Sequence, residues 1–214
     1  NGLVRYEIHP FAYYRGLKAD PKENDISIDD IRLIRDSVPT SKGMIKARDI
    51  FMLSFYLGGI NLIDLISYDF RNTDEIEYIR NKTKNTKKSN RKISFSIPPE
   101  ARPIINRWMN PTNGHLDFHN SGSYTSFKNN TTRSIKHLAI ALGIKKAEKV
   151  CYYSARKSFV QIGFDLGIPL EVLEYCIGQS MKSDRPIYNY LKIMRRHADS
   201  AIRQILDTLS TTNK

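Results

Sequence analysis

A change in the spacing of apolar residues between positions 74 and 98 is the feature that most restricts the fold of this chain. Before and after this stretch, apolar residues recur every three or four positions, as they do on one face of an α-helix. Within it, the segments EIEYIRNKT and RKISFSIP alternate apolar and polar residues, which is typical of strands with one buried face. The sequence therefore predicts a mainly α domain with one small antiparallel sheet, an α+β fold, whose hairpin spans about residues 75 to 97.

The sequence contains signals for helix N-termini and C-termini on both sides of the predicted hairpin. SIDDIRLIRDSV begins with a capping serine and an acidic first turn, KARDIFMLSFYLGG ends at a glycine pair, and NLIDLISYD resumes the helical spacing. Further helices are predicted in PEARPIINRWM, SFKNNTTRSIKHLAIALGI, SARKSFVQIGFDLG, PLEVLEYCIG and RRHADSAIRQILDTL, and glycines close three of them at Gly143, Gly167 and Gly178. Residues 1–24 lack helical spacing, so they are predicted to be a linker or arm that precedes a domain at 25–214.

The charge of the chain indicates an anionic partner. Its 34 Lys and Arg residues against 22 Asp and Glu give a net charge of +12 over 214 residues, which is typical of proteins that bind nucleic acid or an anionic surface. The predicted hairpin loop, KTKNTKKSNRK, contains no acidic residue and carries Lys82, Lys84, Lys87, Lys88, Arg91 and Lys92. A solvated turn that discourages edge pairing would have the same composition, so the loop alone leaves both interpretations open.

The remaining composition excludes several classes of protein. The two cysteines, Cys151 and Cys176, are too few for a disulfide framework and lack metal-ligand spacing, so neither a metal nor another cofactor is predicted. No stretch approaches the roughly 20 apolar residues of a membrane span, and the first 15 residues lack the apolar region of a signal peptide. These features predict an intracellular protein in a reducing compartment.

The order of these motifs resembles the tyrosine recombinases, the phage integrase family, over nearly the whole chain. In that family an R-x-x-E/D step follows a glycine at a helix end, a catalytic lysine lies in a β-hairpin, and an H-x-x-R opens a later helix. A G-H or G-W pair comes next, and the nucleophilic tyrosine follows shortly after it. The matching stretches here are GGINLIDL, IRNKTKN, YYSARKSF, EYCIGQS and RPIYNYLKI.

The resemblance implies a site-specific DNA recombinase that cuts and rejoins double-stranded DNA through a covalent 3′-phosphotyrosine intermediate. Family members need no cofactor and work as homotetramers on two paired DNA sites. Residues 25–214 would be the catalytic domain, preceded by a separate N-terminal DNA-binding domain. A cytoplasmic, nucleoid-associated protein of a bacterium, phage or mobile element is the implied context.

Roles for individual residues follow from the same resemblance. Arg156 would clamp the scissile phosphate, because its planar guanidinium can bind two oxygens at once. Lys82 would protonate the leaving 5′ oxygen, with Lys84 as the alternative in the same loop. Contacts with the DNA are implied for the helix residues Lys157 and Arg133 and for the loop residues Lys84, Lys87, Lys88 and Arg91.

Two tyrosines compete as the nucleophile. Counting nine residues from Gln179 gives Tyr188, whereas the I-x-x-Y spacing from Ile187, followed by HADSAIRQILD, gives Tyr190. We expect Tyr190 to carry the covalent link and Tyr188 to be its alternative. Residues two positions apart on a helix differ by about 200° of rotation, so only one of the two phenols can point at Arg156.

The chain departs from the family's pattern at the positions of its first arginine and of its two histidines, which are here Asn61, Tyr153 and Gln179. All three side chains can still donate a neutral hydrogen bond, and Asp64 keeps the acidic member of the first motif. Losing one such donor costs roughly 3 to 4 kcal/mol of transition-state stabilisation, unless another arginine such as Arg48 or Arg133 replaces it. Two alternatives therefore stay open: a catalytically impaired relative that only binds DNA, and a basic helical domain that binds RNA.

Overall fold

The computed structural model describes residues 23–81, 92–119, 122–179 and 194–210. The α-helices in these ranges are Ile28–Asp36 (α1), Lys42–Tyr56 (α2), Leu62–Ser67 (α3), Arg102–Trp108 (α4), Tyr124–Ala141 (α5), Tyr152–Asp165 (α6), Leu170–Cys176 (α7) and Arg195–Ser210 (α8). Short 3-10 helices lie at Pro99–Ala101 and Ala147–Lys149, and the strands are Glu75–Tyr78 (β1) and Ile93–Ser96 (β2). The prediction of a mainly helical fold with one small sheet is confirmed.

The strands β1 and β2 pair antiparallel, with Glu75 opposite Ser96 and Tyr78 opposite Ile93. Ile93 and Phe95 are buried on β2, and the alternate residues Ser94 and Ser96 face the other way, as the period of two predicts. The hairpin thus lies where the change of period placed it, and its connecting residues 82–91 fall outside the described ranges.

Helix α2 is the centre of the core. Its second half, from Asp49 to Tyr56, is buried all round, because α5, α6 and α1 pack against it. Phe55 contacts Phe159 of α6 edge to face, with ring centroids 5.9 Å apart. The run IFMLSFY, which is apolar apart from Ser54 and lacks a polar face, accounts for this central position.

The buried carboxylate of Asp49 links α2 to α4. One of its oxygens, Oδ2, accepts hydrogen bonds from Arg107 Nη1 and Trp108 Nε1, both at 2.8 Å. The other, Oδ1, accepts from Arg48 Nε at 2.9 Å and Nη2 at 2.8 Å. A carboxylate that is only 1% exposed needs such partners, since burying an unpaired charge costs several kcal/mol.

Helix α8 closes the core by packing on β2, α6, α7 and α1. Its apolar residues recur every three or four positions, and they bury Ala198, Ala201, Ile202, Ile205, Leu206 and Leu209. On its polar side, Asp199 Oδ1 accepts a hydrogen bond of 2.6 Å from the backbone N–H of Ser96. The helix is therefore fixed to the sheet of its own chain. No helix within the described residues is long and apolar enough to cross a bilayer.

Candidate functional site

Four of the motifs singled out in the sequence meet around two glycine turns. The first turn joins α2 to α3 and contains Gly59, and the second follows α7 and contains Gly178. Arg156 of α6 reaches both turns, and Arg80, which follows β1, reaches the second. We call Asn61, Asp64, Arg80, Arg156 and the Ile177–Gly178 turn the candidate site.

Arg156 lies between the two turns and is only 3% exposed. Its Nη1 donates to the carbonyl of Gly59 at 2.8 Å, and its Nη2 donates to the carbonyl of Ile177. Its hydrogen bonds in the described part of the chain go to these carbonyls, and no carboxylate there pairs with it. The sequence predicted an arginine that binds a phosphate, and what the structure shows is a guanidinium that holds two turns together.

Gly59 makes the close approach of α6 possible. Its φ of +72° is in the left-handed region, and a Cβ added there would lie 2.9 Å from Arg156 Cγ and 3.1 Å from Arg156 Cα. A side chain at this position would therefore be strained by the backbone and would also collide with the start of the Arg156 side chain.

Arg80 lies beside Arg156. Its Nη1 donates to the carbonyl of Gly178 at 3.0 Å, and the preceding carbonyl, that of Ile177, accepts from Arg156. The two side chains bind consecutive carbonyls, and the charge of Arg80 acts on Arg156, so their guanidinium groups are neighbours. Gly178 leaves room for this arrangement, since a Cβ added there would lie 2.7 Å from Arg80 Cδ.

Asn61, the residue that the sequence resemblance aligns with the family's first arginine, contacts Arg80. With its amide turned so that the oxygen faces the guanidinium, Asn61 accepts hydrogen bonds from Arg80 Nε and Nη2, both at 3.1 Å. An arginine at position 61 would instead bring another positive charge against Arg80. A neutral asparagine at position 61 is therefore compatible with the positive charge of Arg80, whereas an arginine there would be repelled.

Asp64 fixes the chain that leads into the basic loop. It is buried, and its Oδ1 accepts from the backbone N–H and the side-chain amide of Asn81, both at 2.9 Å. Asn81 directly precedes Lys82. Asp64 is therefore a structural hydrogen-bond acceptor for Asn81.

The electrostatics of the site favour an anion. Burial and the neighbouring charge of Arg80 lower the pKa of the Arg156 guanidinium. The hydroxyl of Tyr78 is buried close to these groups and makes no hydrogen bond with a described residue. Burial and the charge of Asp64 raise the pKa of Tyr78, so its phenol stays neutral. Adjacent like charges in a partly dry site repel each other unless an anion binds between them.

The residues predicted in place of the two histidines lie at the edge of the candidate site. Tyr153 is 48% exposed and precedes Arg156 by one turn of α6, so it lies on the same side of the helix. Gln179 is exposed and directly follows Gly178, and its backbone N–H donates to the carbonyl of Glu174 at 2.8 Å. Lys157, predicted to contact DNA, is partly buried next to Arg156 on α6.

The structure does not bring either of the suggested replacement arginines to Asn61. Arg48 pairs with Asp49 and donates to the carbonyl of Ser37 at 2.7 Å. Arg133 is exposed on α5, where its Nη2 donates to Asn130 at 2.8 Å. Arg80 is the arginine beside Asn61, and the sequence did contain a signal for it. Ile76, Tyr78 and Arg80 follow the period of two on the inner face of β1 and its extension.

Several predicted residues lie outside the described ranges, namely Lys82, Lys84, Lys87, Lys88, Arg91, Tyr188 and Tyr190. In the described ranges, no cluster of three or more His, Cys, Asp or Glu residues has a geometry that could hold a metal ion.

Comparison with known proteins identifies no relative: no family model, curated protein or solved structure matches this chain significantly.

Proposed function

We propose that this chain is the catalytic domain of a tyrosine recombinase, with the fold of that family, which cuts and rejoins double-stranded DNA at specific sites. The observation that carries the proposal is Arg156, a buried guanidinium that pairs with no carboxylate of the described residues and lies next to Arg80 at the junction of the predicted motifs. A buried charge without a counter-ion is costly in an empty site and is well placed to bind an anion. The charge of +12 favours a phosphodiester of nucleic acid as that anion.

The proposed reaction exchanges one phosphodiester for another. The phenol of Tyr190 gives up its proton to water as its oxygen attacks the scissile phosphorus, and the bond between phosphorus and the 5′ oxygen breaks. Lys82 gives a proton to the leaving 5′ oxygen, while Arg156 binds non-bridging oxygens and stabilises the negative charge of the transition state. Attack by the 5′ hydroxyl of a second strand on the phosphotyrosine reverses these steps, so joining needs no ATP.

The burial and fixed orientation of Arg156 support DNA cleavage over simple binding. A protein that only binds the DNA backbone needs exposed lysines and arginines, and these bind phosphates from the surface. Arg156 is instead buried and held in one orientation by two backbone carbonyls. Preorganised donors of this kind are typical of sites that stabilise developing charge.

A nicked DNA substrate that traps the cleaved strand tests the proposal. The protein should form a covalent adduct that survives a denaturing gel, Tyr190→Phe should abolish the adduct, and Tyr188→Phe should retain it. Loss of the adduct only in Tyr188→Phe would assign the nucleophile to Tyr188. Tight duplex binding without any adduct would instead favour the impaired, DNA-binding alternative, and a preference for RNA over duplex DNA would favour the RNA-binding one.

A further inference from the structure

The position of Arg80 is fixed by acceptors from two different turns. The Asn61 oxygen accepts from Nε and Nη2, both at 3.1 Å, and the Gly178 carbonyl accepts from Nη1 at 3.0 Å. All three guanidinium nitrogens therefore donate to defined acceptors, which sets both the position and the plane of the group. A surface arginine that merely adds charge has no need of this arrangement.

The partner Asn61 is neutral. Hydrogen bonds from a guanidinium to an amide oxygen orient it without adding a negative charge, whereas an aspartate at the same position would neutralise it. Burial and the neighbouring charge of Arg80 lower the pKa of Arg156. The guanidinium of Arg80 is thus held in a fixed orientation by Asn61 and Gly178, and it lies beside the guanidinium of Arg156.

We propose that Arg80 supplies the second phosphate-binding guanidinium of this site and that Asn61 is the positioning residue that orients it. The arginine that the family carries on the turn after α2 would thus have been replaced by one that follows β1. The inference rests on the proposed function, because it assigns the phosphate of cleaved DNA to this pair. Arg80 would be catalytic, since it would touch the scissile phosphate, whereas Asn61 would act only through Arg80.

The rate of adduct formation at saturating DNA tests the two roles. Arg80→Gln should slow it about 10²- to 10³-fold, as the loss of one preorganised donor does. Arg80→Lys should recover little, because an ammonium group cannot replace a planar fork. Arg203→Gln is the matched control: this arginine contacts Glu100 and Asp207, away from the site, and its loss should leave the rate unchanged.

A positioning role for Asn61 predicts non-additive effects. Asn61→Ala should slow the reaction roughly tenfold in the wild-type background, as the loss of hydrogen bonds to a charged group predicts. In the Arg80→Gln background it should slow the reaction no further, because there is no guanidinium left to orient. A multiplied loss in the double variant would contradict the role of Asn61.

The strongest test moves the arginine from position 80 to position 61, where the family carries its first arginine. The double variant Asn61→Arg with Arg80→Asn should cleave at least tenfold faster than Arg80→Asn alone, since it restores two guanidiniums to the site. Cleavage by Arg80→Gln at the wild-type rate would overturn the inference and leave the proposed function intact.

Inorganic phosphate provides a readout that does not require cleavage. At constant ionic strength, phosphate should raise the melting temperature of the wild-type protein and of Arg203→Gln, and it should not raise that of Arg80→Gln. If the wild type forms no adduct, the proposed function fails, and this measurement still decides whether Arg80 binds phosphate. An equal shift in wild type and Arg80→Gln would overturn the inference.

Discussion

Two residues shape the candidate site through an atom or a charge that they lack: Gly59 has no Cβ, and Asn61 has no charge. Gly59 has no Cβ, and this allows α6 to approach the turn after α2 closely enough for Arg156 to bond its carbonyl. Asn61 has no charge, and this allows Arg80 to lie against it. Substitutions at these positions are therefore expected to act by displacing the two arginines.

Gly59→Ala is predicted to destabilise the fold more than Gly143→Ala. Both glycines have φ near +70°, so each alanine is strained by about 1 kcal/mol. The Cβ at position 143 meets nothing within 4 Å, whereas the Cβ at position 59 would lie 2.9 Å from Arg156 Cγ. Overpacking at Gly59 should add about 1 to 3 kcal/mol to the loss of unfolding free energy. Urea denaturation of the two variants measures the difference, and equal losses would mean that α6 shifts without cost.

The tyrosines Tyr78 and Tyr68 are predicted to respond oppositely to replacement by phenylalanine. The Tyr78 hydroxyl is buried and has no hydrogen-bond partner among the described residues, so Tyr78→Phe should raise the unfolding free energy by up to about 1 kcal/mol. The Tyr68 hydroxyl donates to the Glu75 carbonyl and accepts from the Glu77 N–H, both at 3.1 Å. Tyr68→Phe should therefore lower it by roughly 0.5 to 1.5 kcal/mol. A loss in Tyr78→Phe as large as that in Tyr68→Phe would show that a buried water binds the Tyr78 hydroxyl.

At the scale of elements, α8 and the hairpin stabilise each other across a long stretch of sequence. Asp199 of α8 accepts from the Ser96 N–H on β2 at 2.6 Å and from the Ser96 hydroxyl at 3.1 Å. Arg195 of the same helix pairs with Glu75 on β1. Both strands that the structure describes thus gain polar contacts from α8. These contacts matter because a two-stranded hairpin alone is marginally stable.

Asp199→Ala is predicted to lower the unfolding free energy by about 1 to 2 kcal/mol, because the Ser96 N–H loses its acceptor in a partly buried place. Asp207→Ala is the matched control on the same helix. Asp207 pairs with Arg203 one turn earlier, and exposed pairs of this spacing contribute about 0.3 to 0.5 kcal/mol. Thermal or urea unfolding compares the two, and equal effects would show that Asp199 contributes no more than a surface charge.

At the scale of the whole molecule, the net positive charge and the partly buried guanidinium groups of Arg80 and Arg156 both favour an anionic ligand. The net charge of +12 attracts polyanions over a distance of about a Debye length, about 10 Å at 0.1 M salt. Arg80 and Arg156 act only at contact distance. Long-range charge would therefore supply affinity, and the candidate site would select the position of one phosphate.

Affinity for duplex DNA is predicted to fall about 10³-fold or more between 50 and 200 mM salt if about six phosphates are contacted. The physical reason is the release of counter-ions from the DNA when lysines and arginines replace them. Fluorescence anisotropy with a labelled duplex measures the slope, and a single-stranded RNA of equal length serves as the comparison. A flat response would exclude DNA as the partner.

The sequence by itself determined the elements of this protein, because the signals for helices, strands and glycine stops lie within a few neighbouring residues. The hairpin at residues 75–97 and the helix ends at Gly143, Gly167 and Gly178 were predicted from such local patterns. The tertiary structure alone decided the contacts of the candidate site. Arg156 binds the carbonyl of Gly59 across 97 positions of the chain, and Arg80 binds that of Gly178 across 98. No local pattern encodes which distant carbonyl will accept from an arginine, since that depends on how helices and strands pack.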